Sequence, residues 1–375
     1  MPTLRSRLAI LLATLFFASF GTSEAVAQSD LKTRNVVVIV TDGLRWQDVF
    51  SGPDAALVNR EQGGVRNIPA LRQSFVRDTP EESRAALLPF FWNVIARQGQ
   101  LFGNRAAGSD VRVTNGLKFS YPGYNEMLTG AADPRIDKND FGPNSNVTVF
   151  EWLNQQPEFR GRVAAFGTWE VFNAIFNRER AGIFLRAGWE PPVTGRLTPA
   201  QQQLHMLYRT TSRLWDDNIY DSLMYAAVLD HVRAARPRLL YIGFGETDEW
   251  AHSGRYDLYL RAAHQVDQFI RNLWDLMQSL AQYRGRTTFI VLTDHGRGST
   301  TQDWKNHGKD VEGAESIWMA VLGPDTPALG MRAADAQPVT QSQLAATVAA
   351  LLGKDYRAAF PDAAPPLAEV IVPKR

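Results

Sequence analysis

Cysteine is absent from this 375-residue chain. That excludes disulfides, a cysteine nucleophile, thiolate-bound zinc and a lipid anchor built on cysteine. Any zinc must be held by imidazoles and carboxylates. Charge of one sign is also lacking: 40 Lys and Arg face 39 Asp and Glu, a net of +1. The near balance gives no sign of a nucleic-acid-binding surface, which needs a basic patch. Repeats and low-complexity tracts are absent. Apolar residues make up 45% of the chain, an ordinary share for a globular protein. The length suits one large domain or two small ones.

Long apolar runs are scarce, and the longest stretch lies near the N-terminus. Arg5 and Arg7 precede the run from Leu8 to Ala18, and Ala25-Val26-Ala27 forms an A-x-A site. This order predicts a signal peptide over 1–27, cleaved after Ala27, and a periplasmic or secreted protein. The alternative is an N-terminal anchor, but the run is short for a membrane span. No other segment reaches that length, so the mature chain, 28–375, is expected to lack one.

Shorter apolar runs carry the chemistry. Phe289-Ile290-Val291-Leu292-Thr293 leads directly into Asp294-His295. Asp42 follows Val36 to Thr41. Asp248 and His252 follow Leu239 to Phe244, and His307 lies a short loop beyond His295. Buried strands there would deliver these side chains at their C-terminal ends, where open α/β sheets place their sites. Oxygen and imidazole ligands at several strand ends suit a metal-assisted hydrolase.

Ser120-Tyr121-Pro122-Gly123 puts a hydroxyl before a Pro-Gly turn and a helix-like stretch. Ser120 would stand near a helix N-terminus, which favours an anion. Serine is a weak nucleophile unless a base or metal activates it, and no histidine is near in sequence. A bound metal is the simpler activator.

These five fragments, in this order, resemble the alkaline phosphatase superfamily, above all its phosphodiesterase/nucleotide pyrophosphatase-like members. The matching fragments are Val40-Thr41-Asp42-Gly43, Ser120 with its Pro-Gly turn and Leu128-Thr129-Gly130, Asp248-x-x-x-His252, Thr293-Asp294-His295-Gly296, and Asn306-His307-Gly308. The resemblance covers roughly 35–355. It implies two zinc ions, with other divalent metals such as Mn2+ as substitutes. Asp248, His252 and His307 would hold one. Asp42, Asp294 and His295 would hold the other, with Ser120 at its open position. Three imidazoles independently favour zinc over calcium or magnesium. The resemblance also implies a substrate-binding asparagine some twenty residues after the nucleophile, which points to Asn139.

Apolar runs at 36–41, 163–166, 238–244, 288–293 and 317–322 read as strands, with helical spacing around 87–95, 223–232, 255–282 and 340–352. The alternation predicts a three-layer α/β sandwich with a mostly parallel central sheet. Residues 45–86 and 170–218 fit it less well. The second stretch, rich in aromatics and in Arg178, Arg180 and Arg186, is expected to be a cap or insertion. The tail 354–375 reads as irregular, packing on the sheet edge.

Each fragment has a plainer explanation. Asp42 could cap a turn, Asp248 and His252 could be a helical ion pair, and His307 could be a solvated loop histidine. Ser120 could be an N-cap. Taken jointly, five ordered fragments outweigh these. His264 lies in the long helical pattern, and His205 and His231 have no acidic partner motif nearby, so all three are expected outside the site. Among functions, an exported phosphoesterase with a phosphoseryl intermediate comes first, acting on small-molecule esters, diesters slightly ahead of monoesters. No Arg follows Ser120 within the next ten residues to meet a monoester dianion. The alternatives are an alkaline phosphatase-type monoesterase, a sulfatase and a non-catalytic binding protein. Tyr124 stands where a sulfatase signature has arginine.

Overall fold

A computed structural model describes residues 31–191, 195–333 and 338–373. The proposed signal peptide and the Ala27 cleavage site lie outside the described residues.

The strands are β1 (Asn35–Thr41), β2 (Gln100–Phe102), β3 (Val111–Arg112), β4 (Val163–Gly167), β5 (Phe184–Ala187) and β6 (Leu239–Phe244). They continue with β7 (Thr287–Leu292), β8 (Ser316–Ile317), β9 (Met319–Leu322), β10 (Gly330–Met331) and β11 (Val339–Thr340). Eight form one sheet in the order β10-β2-β9-β7-β1-β6-β4-β5, and β11-β3-β8 form a small second sheet. β7, β1, β6, β4 and β5 run parallel, while β9 is antiparallel to both β7 and β2.

β1 is buried along all seven residues. Such a strand must be apolar on both faces, so its sequence reads as a continuous run rather than an alternation. Its two faces nevertheless meet different cores. Val37 and Ile39 face the helices Asp221–Ala235 and Tyr256–Ser279; Val36, Val38 and Val40 face Ser120–Thr129, Val149–Gln155 and Gln343–Leu351. Helices on both faces of a sheet make the three-layer sandwich that the alternation predicts. In the long helix, Tyr259, Leu260, Ala263, Val266, Ile270, Leu273 and Met277 recur every three to four residues and are buried. Each large apolar side chain so buried contributes about 1.5–3 kcal/mol.

Two segments differ from the sequence reading. Residues 45–86 are helical, with Trp46–Ser51, Ile68–Phe75 and Pro80–Leu87 packed on the first core. Within 170–218, β5 pairs with β4 as an edge strand, so that part belongs to the sheet. Four residues of mixed character are too short to register as a strand in sequence. The tail does pack on the fold: Leu367 and Val370 are buried, and Val372 N–H donates to Asp325 O at 2.9 Å.

Candidate metal and nucleophile site

β7, β1 and β6 are adjacent and parallel, so their C-terminal ends open on one rim. Asp42 follows β1, Asp294 and His295 follow β7, and the helix Glu246–His252 after β6 carries Asp248 and His252. Parallel pairing thus gathers residues more than two hundred positions apart.

Two groups of ligand atoms meet there. Asp42, Asp294 and His295 form one, and Asp248, His295 and His307 form another; within each group the ligand atoms lie within 4.8 Å of one another. His295 Nε2 is 3.2 Å from Asp42 Oδ1 and 3.5 Å from Asp294 Oδ2. Both carboxylate oxygens are buried and have no hydrogen-bond partner among the described residues. Buried anionic oxygens without a donor are costly unless a cation meets them. Ligands around a tetrahedral zinc are roughly 3.3 Å apart, given bonds of about 2.0–2.2 Å. The donor set therefore fits a metal.

The other expected set also converges. His252 Nε2 lies 2.9 Å from His307 Nε2 and 3.3 Å from Asp248 Oδ2, and His307 Nε2 is 3.6 Å from Asp248 Oδ1. His295 approaches this group too, 3.9 Å from Asp248 Oδ1, so one imidazole stands between the two sets. The ring tautomers follow from the carbonyls. His295 Nδ1 donates to Gly296 O at 2.9 Å and His307 Nδ1 to Lys118 O at 3.3 Å. Each leaves its Nε2 lone pair free for a metal.

Electrostatics reflect the crowding of acids. Burial, then Asp248, pushes the Asp42 carboxyl well up. Burial, then Asp42, raises Asp294 to about 8. Burial would raise Asp248 as well, but Arg297 and His252 more than offset it and hold it low. Burial, then His295, depresses His307 to about 2, keeping it neutral as a ligand must be.

Ser120 is the first residue of the helix Ser120–Thr129; Phe119 takes the N-cap position. The capping role open to Ser120 in sequence is thus filled by others: Asn139 Oδ1 accepts the Tyr121 N–H at 3.0 Å. Ser120 Oγ lies 3.5 Å from His295 Nε2, beside the first ligand set. Gly123 lets this helix approach β7, since a Cβ there would meet Asp294 O at 2.6 Å. Asn139 therefore sits at the start of the serine helix.

Four contributors were not evident in sequence. Tyr124 donates its hydroxyl to Asp42 Oδ2 at 2.8 Å. It is one helical turn after Ser120, and that spacing was the available signal. Thr247 Oγ1 donates to Asp42 O at 2.6 Å. Gly43, at φ +57, makes room for Arg297. Arg297 itself is buried and bonds Asp248, Gly43 O at 2.8 Å and Lys305 O at 2.9 Å. Only its nearness to Asp294-His295 hinted at a role. Two of the histidines expected elsewhere are placed elsewhere: His264 bonds Leu87 O at 2.7 Å, and His231 stacks on Phe184 with ring centroids 4.1 Å apart.

The family model described as type I phosphodiesterase / nucleotide pyrophosphatase matches residues 67–359. The chain belongs to that family. Its model begins after Asp42, so the first ligand position lies outside the matched span. No curated protein matches the sequence. Among solved structures, phosphonate monoester hydrolase SpPMH from Silicibacter pomeroyi shares 13% identity over 92% of this chain and 77% of its own, with a TM-score of 0.56. Wild-type alkaline phosphatase PafA shares 11% over 91% and 99%, at 0.54. Lipoteichoic acid synthase LtaP from Listeria monocytogenes shares 11% over 88% and 74%, at 0.51. At such identities the shared property is the fold, that of the alkaline phosphatase superfamily.

Proposed function

We propose that this protein hydrolyses small-molecule phosphate esters through a phosphoseryl intermediate on Ser120. The observation that carries the reading is Ser120 Oγ at 3.5 Å from His295 Nε2, at the edge of a set of donor-less buried carboxylate oxygens. Asp42, Asp294 and His295 would hold one zinc, and Asp248, His252 and His307 the other; Mn2+ has compatible ligand preferences. When bound, the metals supply Lewis acidity that lowers the hydroxyl pKa and neutralises charge on the phosphoryl oxygens.

The chain's own residues do the rest. The N-terminus of the Ser120 helix points its dipole at the incoming anion. Asn139, at the same helix start, is the proposed partner of a non-bridging oxygen. Ser120 Oγ forms a bond to phosphorus as the ester oxygen leaves and takes a proton. Water then forms the next bond to phosphorus, Oγ departs and regains its hydrogen, and inorganic phosphate or a monoester is released.

Diesters are proposed slightly ahead of monoesters. A monoester dianion calls for a cation beside the nucleophile. Lys118 Nζ is instead paired with Glu315 at 3.1 Å, Arg178 with Glu190 at 2.6 Å and Arg180 with Glu151 at 2.8 Å. An aromatic group offers an apolar wall for a second substituent. Trp215 packs on Tyr220 and on Trp250, the latter at 5.0 Å, and Trp189 packs on Tyr220 at 6.0 Å. Trp250 is on the helix of Asp248 and His252. The part of 170–218 beyond β5 is accordingly proposed as a cap over one single domain, 28–375.

Export is proposed from the N-terminal pattern, and sequencing the mature N-terminus tests it: a start at Gln28 is expected. No helix among the described residues is long and apolar enough to cross a membrane. The catalytic reading is tested by parallel assays of aryl phosphate, bis-aryl phosphate and aryl sulfate on zinc-loaded protein, with acid quench to trap phosphoserine. Turnover of the sulfate alone, or none of the three, would sink it.

A further inference from the structure

The opposite pole of the sheet carries a pattern that ester hydrolysis does not use. Arginine stands immediately before four parallel strands: Arg286 before β7, Arg34 before β1, Arg238 before β6 and Arg162 before β4. These strands are consecutive neighbours. The backbone ladder runs on through the arginines. Arg34 N–H donates to Arg286 O at 2.8 Å, Val36 N–H to Arg238 O at 2.9 Å and Arg238 N–H to Arg162 O at 2.7 Å. The registers place Arg34 opposite Arg286 and Arg238 opposite Arg162, with Asn35 opposite Arg238, so the four form two adjacent pairs one residue out of step. At a strand spacing of about 4.8 Å they span roughly 14 Å.

The row lines a cleft of about 480 Å3. Its one acid is Glu158, whose carboxylate is taken by Lys354. The guanidiniums of Arg162 and Arg286 make no hydrogen bond or ion pair among the described residues. Arg238 is held in place, with its guanidinium 4.3 Å over the Phe159 ring and Nε donating to Arg34 O at 3.0 Å. Burial depresses its pKa, and Arg34 and Arg162 add to this against Glu158. Like charges on neighbouring strands destabilise a sheet, so four together are an open cost to the fold unless an anion meets them.

We propose that this row is a binding site for a soluble, multiply charged oxyanion with the charge spacing of a short polyphosphate. Guanidinium forks bond phosphate oxygens in pairs, and a row favours several linked phosphoryl groups over one. Arg34 and Arg238 are half-buried in the cleft, which suits a molecule that enters it rather than a flat surface laid across it. β1 separates the row from the metal ligands by its full seven residues, roughly 20 Å. The site is therefore separate from the proposed catalytic one and does not rest on that reading.

The test uses zinc-loaded wild-type protein and the double variant Arg162→Gln/Arg286→Gln, titrated calorimetrically with tripolyphosphate and with orthophosphate. Wild type should bind tripolyphosphate at least about tenfold tighter than orthophosphate, and the variant should lose at least about tenfold of that affinity. Tripolyphosphate should raise the wild-type melting temperature and not the variant's, while turnover of an aryl phosphate ester stays equal in both. Equal tripolyphosphate binding by both proteins would place the anion on the metals and overturn the proposal. Arginine-dependent sedimentation with phosphatidylglycerol vesicles, without binding of free tripolyphosphate, would overturn it in favour of a membrane surface.

Discussion

The Tyr124 hydroxyl donates to Asp42 Oδ2 at 2.8 Å, while Asp42 Oδ1 faces His295 Nε2 at 3.2 Å with no hydrogen bond of its own. One oxygen is oriented by the protein and the other is left for a cation. Tyr124→Phe should therefore keep the fold and weaken zinc binding about 10–100-fold, the usual effect of removing a group that orients a ligand. Competition with a chromogenic chelator reads this directly. Unchanged affinity would show that Tyr124 does not orient the ligand.

Ser120→Ala should reduce kcat by at least about a thousandfold, as expected when a nucleophile is lost. It should still bind the two proposed metals, because the six other proposed ligands remain. Elemental analysis beside steady-state kinetics separates the two effects. Near-wild-type turnover would remove Ser120 from the mechanism. His264→Ala is the control, with wild-type metal content and turnover expected; His307→Ala should lose both.

Buried Arg297 forms an ion pair with the half-buried Asp248 beside the proposed ligands. Arg297→Met leaves the Asp248 charge uncompensated; breaking a fully buried pair costs about 3–5 kcal/mol, and the partial exposure of Asp248 makes the expected loss smaller. A bound metal also compensates that charge. The loss of stability in chelator-treated protein should thus be clearly larger than in zinc-loaded protein. Chemical denaturation of both forms measures it, and equal losses would contradict the shared role.

Asp294 is raised to about 8 by burial and then by Asp42, above its unfolded value of 3.8. Between those values the folded, metal-free protein holds a proton that the unfolded chain has released. The Asp294 contribution to its stability should therefore fall as pH rises from about 4 to 8, which the difference between wild-type and Asp294→Asn protein isolates from the opposite contribution of His307. Zinc needs the carboxylate ionised, so binding should release a proton below pH 8 and reverse that decline. Calorimetry in buffers of different ionisation heat counts the protons, and melting curves with and without chelator follow the slope. A metal-free wild type whose stability relative to Asp294→Asn rises over this window would contradict the assignment.

The proposed ester preference turns on the pairing of Lys118, Arg178 and Arg180 with acids. The kcat/KM for a bis-aryl phosphate should match or exceed that for the aryl monoester. A monoester advantage of a hundredfold, about 2.7 kcal/mol, would overturn the preference and leave the metal ligands untouched.

Much of this was legible from the sequence. β1, β6 and β7 are buried on both faces and so must be continuous apolar runs, which is why Asp42, Asp248 and Asp294 could be read as strand-end residues. The pairing of helices with those strands declared the layered α/β class. Short elements such as β2 and β5 carried too few residues to declare a period, and β5 was read as part of a cap.

The sequence by itself determined which residue types are available to bind metal, because without cysteine only imidazole and carboxylate remain. The order β7-β1-β6 was decided only by tertiary structure, since sheet order depends on crossover connections that leave no local trace. That order brings His295 between two carboxylates, seats Arg297 against Asp248 and gathers four arginines at the far edge. Contacts among residues so distant in the chain arise from packing, where no periodicity records them.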